Sequence, residues 1–283
     1  AKFITKREDV HQILKMLTRQ NAFVTCLNDG QTYRFHHMMK ECAFRAFRTL
    51  DDSRLAFYYE RYGAWYEKHG AYIYALSAYR RNQNFAAILR VVQKDAGILL
   101  ASLKPEEVLE VLNRCSVSVL KEYPLAILVL MRCMFNWKNI PKMLELKELL
   151  LASIREHPKL SEEERGNLLG ECDLIQSFLM YNDISRMSQF HRSASEKMTR
   201  PAISIRSDGG WTFGSPSVLM MFHRKSGDLD KELEEMNQCM PHYYKITNGH
   251  GQGAETIMSA EAHFMRGNFV DAHIALEKAY TQI

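Results

Sequence analysis

The sequence predicts an all-α fold, and three observations carry that prediction. First, small residues alternate with tyrosines at Gly63, Tyr66, Gly70, Tyr72, Ala75 and Tyr79. Glycine and alanine let two helix axes approach closely, and aromatic rings fill the space beside them. Second, the pattern returns as Gly267, Phe269, Ala272, Leu276 and Ala279, with a weaker copy at Gly227, Leu229, Met236 and Cys239. Third, β-prone residues gather in one place only, around Asn28-Asp29-Gly30. The expected product is a row of helical hairpins, each burying a face on its neighbour. Gly63, Gly70, Ala75, Gly267 and Ala272 are expected at close helix contacts.

This spacing is that of a tetratricopeptide-like repeat, which builds a superhelical wall with a concave binding face. Successive copies lie some 40 to 45 residues apart, so the helices are longer than in a minimal array. Repeat proteins of this kind bind more often than they catalyse.

Each element has a local reason. Residues 6 to 19 read as an amphipathic helix with Val10, Ile13, Leu14 and Leu17 on one face. Phe23 to Leu27 and Gln31 to Phe35 flank the Asp-Gly turn and predict a hairpin. A helix follows over 37–50. Ser53 is expected to cap a helix reaching Lys68, with Ala71 to Arg80 as its partner and Phe85 to Val92 next. Pro105 with Glu106 and Glu107 marks a helix start, as do Pro124, Pro141 and the acidic run after Ser161. The helix from Ser161 is expected to reach Tyr181, and Asp183 to open its partner. Segment 199–216 is a long loop rich in glycine, proline and aromatics, and loops of that length are usually functional or disordered. Helices resume at Pro216 and Asp228, and Thr247 to Gly253 separates that pair from the last one. The domains so defined are 1–52, the end of a winged-helix segment, and 53–283, the helical repeats.

Composition narrows the function. The 283 residues carry a formal net charge of +4, too balanced to predict a nucleic-acid or membrane surface. No apolar run is long enough to span a bilayer, and the expectation is a cytoplasmic protein with no membrane contact. The six cysteines show no C-x-x-C spacing, so they read as buried, reduced thiols. No metal site, no G-x-S-x-G, no H-E-x-x-H and no recognisable Cys–His pair appears, and the chain is expected not to be an enzyme. Neither end looks natural, which predicts a piece of a larger protein.

Two stretches carry a family resemblance. WTFGSPSVLMMFHRKSGDLDKELEEMNQCMPHYYKITNGHGQGAE and EAHFMRGNFVDAHIALEKA, within Trp211 to Tyr280, resemble bacterial LuxR-family transcription regulators of the MalT-like type. TYRFHHMM, Thr32 to Met39, resembles the signature at the end of that family's winged helix. The middle of the chain is matched only by helical character. The resemblance implies a signal-transducing ATPase with a nucleotide-binding domain, a winged helix, a helical-repeat sensor and a C-terminal helix-turn-helix. This chain has no G-x-x-x-x-G-K-[ST] phosphate loop and no DNA-reading helix pair. It would therefore hold no cofactor itself, with ATP or ADP and DNA contacted elsewhere in the full-length protein. The partners implied are a small-molecule inducer or a regulatory protein, with self-association in the active state. A peptide-binding repeat scaffold is the alternative.

The resemblance also implies a role for His36, as a donor to the nucleotide phosphate in the full-length protein. The residues alone allow a second reading, a histidine that closes the hairpin and caps the next helix. Where proline often follows the family's histidine, this chain has His37. Trp211, Phe213, Tyr243, Tyr244 and His250 could line an inducer site, with Glu255 in the first turn of the following helix, or could be packing at a repeat junction. The glycine-rich turn before Glu255 could cradle an anion or merely join two helices.

Overall fold

A computed structural model describes residues 1–96, 104–180, 182–205, 210 and 215–282. The described residues are mostly helical, with one two-stranded antiparallel sheet, an arrangement compatible with a helical-repeat superhelix. They divide into two compact units, 1–119 and 120–283.

The first unit opens with α1 (Lys2–Thr5) and α2 (Val10–Arg19), then β1 (Val24–Cys26) and β2 (Tyr33–Phe35). Val24 pairs with Phe35 and Cys26 with Tyr33. The Asp29 carboxylate sets the turn by accepting from the amides of Gln31, at 3.0 Å, and Thr32, at 2.8 Å, and from the Thr32 hydroxyl. Helix α3 (His37–Arg48) follows the hairpin, and α4 (Asp52–Lys68), α5 (Tyr72–Arg81), α6 (Phe85–Asp95) and α7 (Pro105–Arg114) complete the unit's longer helices. The N-cap of α4 is Asp51, whose carboxylate accepts from Arg54 N at 2.9 Å, and Ser53 donates its hydroxyl to that same carboxylate. This corrects the expected Ser53 cap. A carboxylate at N-cap binds the free amides and also meets the positive end of the helix dipole.

Helices α4 and α5 form the predicted hairpin. Ala75 and Tyr79 are fully buried, and Gly63 is buried against them. A Cβ at position 63 would lie 2.7 Å from Cδ1 and Cζ of Tyr79, so only glycine admits the ring at this crossing. Gly70 and Gly267 do not lie at close contacts. Both have positive φ, +70° and +79°, with nothing within 4 Å of an added Cβ. Their role is to end one helix and turn the chain into the next, whereas Gly227, with φ +91°, lies in the turn just ahead of the helix that begins at Leu229.

One buried carboxylate ties three helices together. Glu67 on α4 accepts from Tyr79 of α5 at 2.8 Å, from both ends of the Arg90 guanidinium of α6 at 2.9 Å, and from Lys94 at 2.6 Å. Its side chain is only 8% exposed. The Arg90 hydrogen bonds outweigh the burial, and the Glu67 carboxyl is held down to about 2.

In the second unit, α8 (Val117–Lys121) leads across the boundary into α9 (Pro124–Asn136), which is buried nearly all round from Ala126 to Met131. Such a helix is apolar on every face because other helices cover it. It packs on α10 (Ile140–Glu156) and α11 (Glu162–Ser177). A short 3₁₀ turn at Phe178–Met180 precedes α12 (Ile184–Lys197), which packs against α11. Here the tightest crossing is one that the residue pattern at the chain's ends did not reveal. A Cβ at Gly166 would lie 2.8 Å from the Lys197 carbonyl oxygen, and one at Gly170 would lie 3.1 Å from that of Ala194. After α12, the chain is pinned back on α11. Asn167 Oδ1 accepts from Thr199 N at 2.9 Å, and the fully buried Glu171 accepts from Ser204 N at 2.6 Å.

Helices α13 (Val218–Phe222), α14 (Leu229–Ile246), α15 (Ala254–Met265) and α16 (Phe269–Gln282) close the unit. Met236, Met240, Tyr243, Ile246 and Met258 join Leu174, Phe178 and Met187 in one apolar core. Ala272 and Ala279 bury the inner face of α16. Its outer face exposes Val270 at 75%, Ile274 at 60% and Tyr280 at 83%.

Of the cysteines, Cys115, Cys133, Cys172 and Cys239 are buried, whereas Cys26 is half-buried and Cys42 is exposed on α3. The expectation of uniform burial is corrected there, because α3 packs with less of its surface than the repeat helices do.

Candidate functional site

Two places hold the sequence-predicted residues. The first is His36, at the junction of β2 and α3. Its amide donates to Phe23 O at 2.8 Å, closing the hairpin, and its Nδ1 accepts from Met38 N at 3.4 Å, capping α3. Nδ1 as acceptor puts the ring proton on Nε2. The ring is exposed and lies 4.3 Å, centroid to centroid, from that of His37. Phe23 and Met38 beside it are also exposed, at 59% and 55%. A residue on the local cap can thus still present an outward N–H.

The second place is the α14–α15 junction. Trp211 and Phe213 lie outside the described residues. Tyr243, Tyr244, His250 and Glu255 are brought together, because α14 carries adjacent tyrosines that point to different neighbours. The Tyr243 hydroxyl meets His250 Nδ1 at 2.6 Å, with both side chains buried. Tyr244 donates to the Glu255 carboxylate across the turn. Burial, reinforced by that carboxylate, pushes the Tyr244 hydroxyl above its ordinary range. Glu255 also accepts from Thr256 at 3.2 Å, and Thr256 in turn reaches Gln282 of α16 at 3.0 Å.

In the glycine-rich turn 247–253, the amides of Thr247, Gly249, His250 and Gln252 are spent internally. Gly249 N donates to Tyr244 O at 3.0 Å, Gln252 N to Gly249 O at 3.1 Å, and Ala254 N to Gly251 O at 3.2 Å. These N–H groups close successive turns instead of converging on an external anion. Gly253 sits at the helix start with φ +88°, a conformation that side chains other than glycine's strain to adopt.

Sequence reasoning missed a buried polar chain one helix away. His191 of α12 is fully buried between Cys239 of α14 and Ser177 of α11, with Nδ1 3.0 Å from the sulfur and Nε2 3.1 Å from the hydroxyl. Ser177 donates onward to Leu174 O at 2.6 Å. The consistent reading is a relay of neutral groups: Cys239 S–H to Nδ1, Nε2–H to Ser177, Ser177 O–H to the carbonyl. By distance the Cys–His pair resembles an activated nucleophile. Its protonation runs the other way, since burial pushes the Cys239 thiol up to about 12 and the imidazole down to about 3. Neither group is charged near neutral pH, and the pair acts as a specific link in the core. The three residues are 14 and 48 positions apart, measured from His191, so no local motif could have shown them.

Among the described residues, no group of three or more His, Cys, Asp or Glu is placed to hold a metal, and no helix is long and apolar enough to cross a membrane.

The order in the first unit is helix, hairpin, helix, then packed helical pairs. Residues 1–55 match the family described as the MalT winged helix domain. That match supports a transcription regulator of MalT-like type. No curated protein and no solved structure matches the chain significantly.

Proposed function

We propose that this chain is the signal-sensing segment of a LuxR-family, MalT-like transcription regulator. It binds an inducer or regulatory protein and controls DNA binding by a helix-turn-helix elsewhere in the full-length protein, without chemistry of its own. The observation that carries this reading is the winged-helix match over 1–55, which leads directly into the Gly63–Tyr79 helical crossing. His36, with Nε2–H directed away from its cap, is suited to hold a nucleotide phosphate in the intact regulator. The inducer site is assigned to the α14–α15 junction, where Tyr244 and Glu255 join elements that a ligand could favour in one arrangement over another. The working compartment is the cytoplasm, and ATP or ADP binds outside this chain.

The test is a transcription reporter driven by the intact regulator. His36→Ala should weaken nucleotide retention and raise basal activity; unchanged values for both remove His36 from the switch. A thermal-shift screen of small metabolites, repeated with Tyr244→Phe and Glu255→Gln, tests the inducer site. A ligand that binds both variants as tightly as the parent moves the site elsewhere.

A further inference from the structure

Helix α16 is covered on one side only. Ala272 and Ala279 turn inward, Ala275 and Gln282 are half-buried, and every other side chain from Phe269 to Thr281 is exposed. A helix packed on one side ordinarily turns a polar face to water. Here the outward face is apolar. Phe269, Val270, Ile274, Leu276 and Tyr280 are each half or more exposed, and Phe264 and Met265 at the end of α15 extend the same surface. The ring of Phe264 meets that of Phe269 edge-on at 5.5 Å, which joins the two helices into one patch. Exposed apolar patches of this extent mark contact surfaces. The seven side chains offer on the order of 800 Å², what each partner brings to a standard interface.

The arrangement of the groups points to the partner. At about 100° per residue, Asp271 and Lys278 lie on one flank of the outward face, with Val270 and Ile274 in the middle. Phe269, His273, Leu276 and Tyr280 form the other flank. Reversing α16 about an axis between Ile274 and Ala275 exchanges Asp271 with Lys278. The same axis exchanges Phe269 with Tyr280 and His273 with Leu276. In two antiparallel helices like flanks face each other, so the sequence of α16 is complementary to itself reversed: acid opposes base along one edge, and ring opposes ring along the other. Neither Asp271 nor Lys278 makes an ion pair among the described residues.

We propose that this chain pairs with a second copy of itself through the outward faces of α16, the two helices antiparallel across a twofold axis beside Ile274. The interface is isologous, so each pairing occurs twice. Asp271 of each copy meets Lys278 of the other, Phe269 meets Tyr280, and the two Ile274 side chains meet near the axis. The pairing requires neither inducer nor nucleotide. It is therefore distinct from association in an activated state, and its failure leaves the regulatory reading standing.

The experiment is analytical sedimentation of the whole chain over a concentration series, with no nucleotide or metabolite added. Dimer is expected to predominate by about 50 μM. Asp271→Lys and Lys278→Asp set like charges against each other, and each should raise the dissociation constant about tenfold or more. The two combined restore opposite charges and should return it to within about threefold of the parent's. Ile274→Glu should abolish pairing. All three positions are exposed, so circular-dichroism spectra should not change. In a Cys42→Ala background, Ile274→Cys should be crosslinked between copies by a short bis-maleimide, in this chain and in the intact regulator alike. A monomer at about 100 μM overturns the proposal. So does a dimer indifferent to Ile274→Glu, or a double charge exchange that pairs no more tightly than the single ones. A crosslink formed by this chain but not by the intact regulator assigns the face to another helix of the same protein, and overturns it as well.

Discussion

The ring of Tyr79 occupies the space where a side chain on Gly63 would begin, with Cδ1 and Cζ 2.7 Å from an ideal Cβ. The ring is fully buried and its hydroxyl is bonded to Glu67 at 2.8 Å, so it cannot swing away without breaking that bond. Gly63→Ala should therefore destabilise the first unit by about 1–3 kcal/mol. Gly70→Ala has room for the methyl but forces alanine into the left-handed region, at about 1–2 kcal/mol. Urea unfolding separates the two causes in combination with Tyr79→Leu, which should rescue the first variant and leave the second unchanged.

Glu67 makes the first unit acid-sensitive. Its folded carboxyl sits at about 2, below the ordinary carboxylate value, so its contribution is fully present above about pH 5. That contribution, about 1–3 kcal/mol, is lost as pH falls from there toward the folded value. Glu67→Gln should lower stability at pH 7 and flatten this part of the profile. A denaturation midpoint that depends on pH as steeply in the variant as in the parent contradicts the assignment.

His191 gives the second unit an acid sensitivity at higher pH. The imidazole is held neutral down to about 3 in the fold, whereas in the unfolded chain it takes a proton near pH 6.5. The unfolded state thus binds more protons between those limits, and stability falls as pH drops through them. His191→Phe should remove that slope but lower stability at pH 7 by about 1–3 kcal/mol, because Cys239 and Ser177 lose their partner. Thermal melts from pH 7 to 4 provide the measurement.

Thiol accessibility should divide the cysteines. Cys42 is exposed, whereas Cys172 and Cys239 are buried with their thiols each pushed up to about 12. At pH 8, alkylation followed by mass spectrometry should mark Cys42 first, and Cys172 and Cys239 only after unfolding. Early labelling of Cys239 would show that the Cys239–His191–Ser177 chain opens in the native state.

The crossing of α11 on α12 should be as intolerant as that of α4 on α5. Gly166→Ala places its methyl against the backbone carbonyl of Lys197, which cannot move as a side-chain end can. A loss of about 1–3 kcal/mol is expected. Gly210→Ala, with nothing within 4 Å, serves as the neutral control.

Much of the fold was legible because its causes are local. Helix starts at Pro105, Pro124 and Ser161, the Asp-Gly hairpin and the turn glycines all express backbone preferences within a few residues of each other. The Gly63–Ala75–Tyr79 crossing was readable too, since a short turn forces adjacent helices to meet. Misreadings arose where the same residue type serves two purposes. Gly70 and Gly267 fit the repeat spacing, yet their glycine is required by a positive φ and not by a neighbour. Ser53 and Asp51 are both good caps, and the helix begins at Asp52, which puts Asp51 in the extended N-cap position.

What the sequence by itself determined is the all-α class, the Asp-Gly hairpin, most helix starts and a winged-helix likeness that the match over residues 1–55 supports. Tertiary structure alone decided which distant polar groups meet. Glu67 with Arg90, His191 with Cys239, and Glu171 with Ser204 depend on the order in which helical pairs stack. The physical reason is one of range. Capping and turn chemistry act over a few bonds, whereas burial of a charge or an imidazole depends on every helix that excludes water from it.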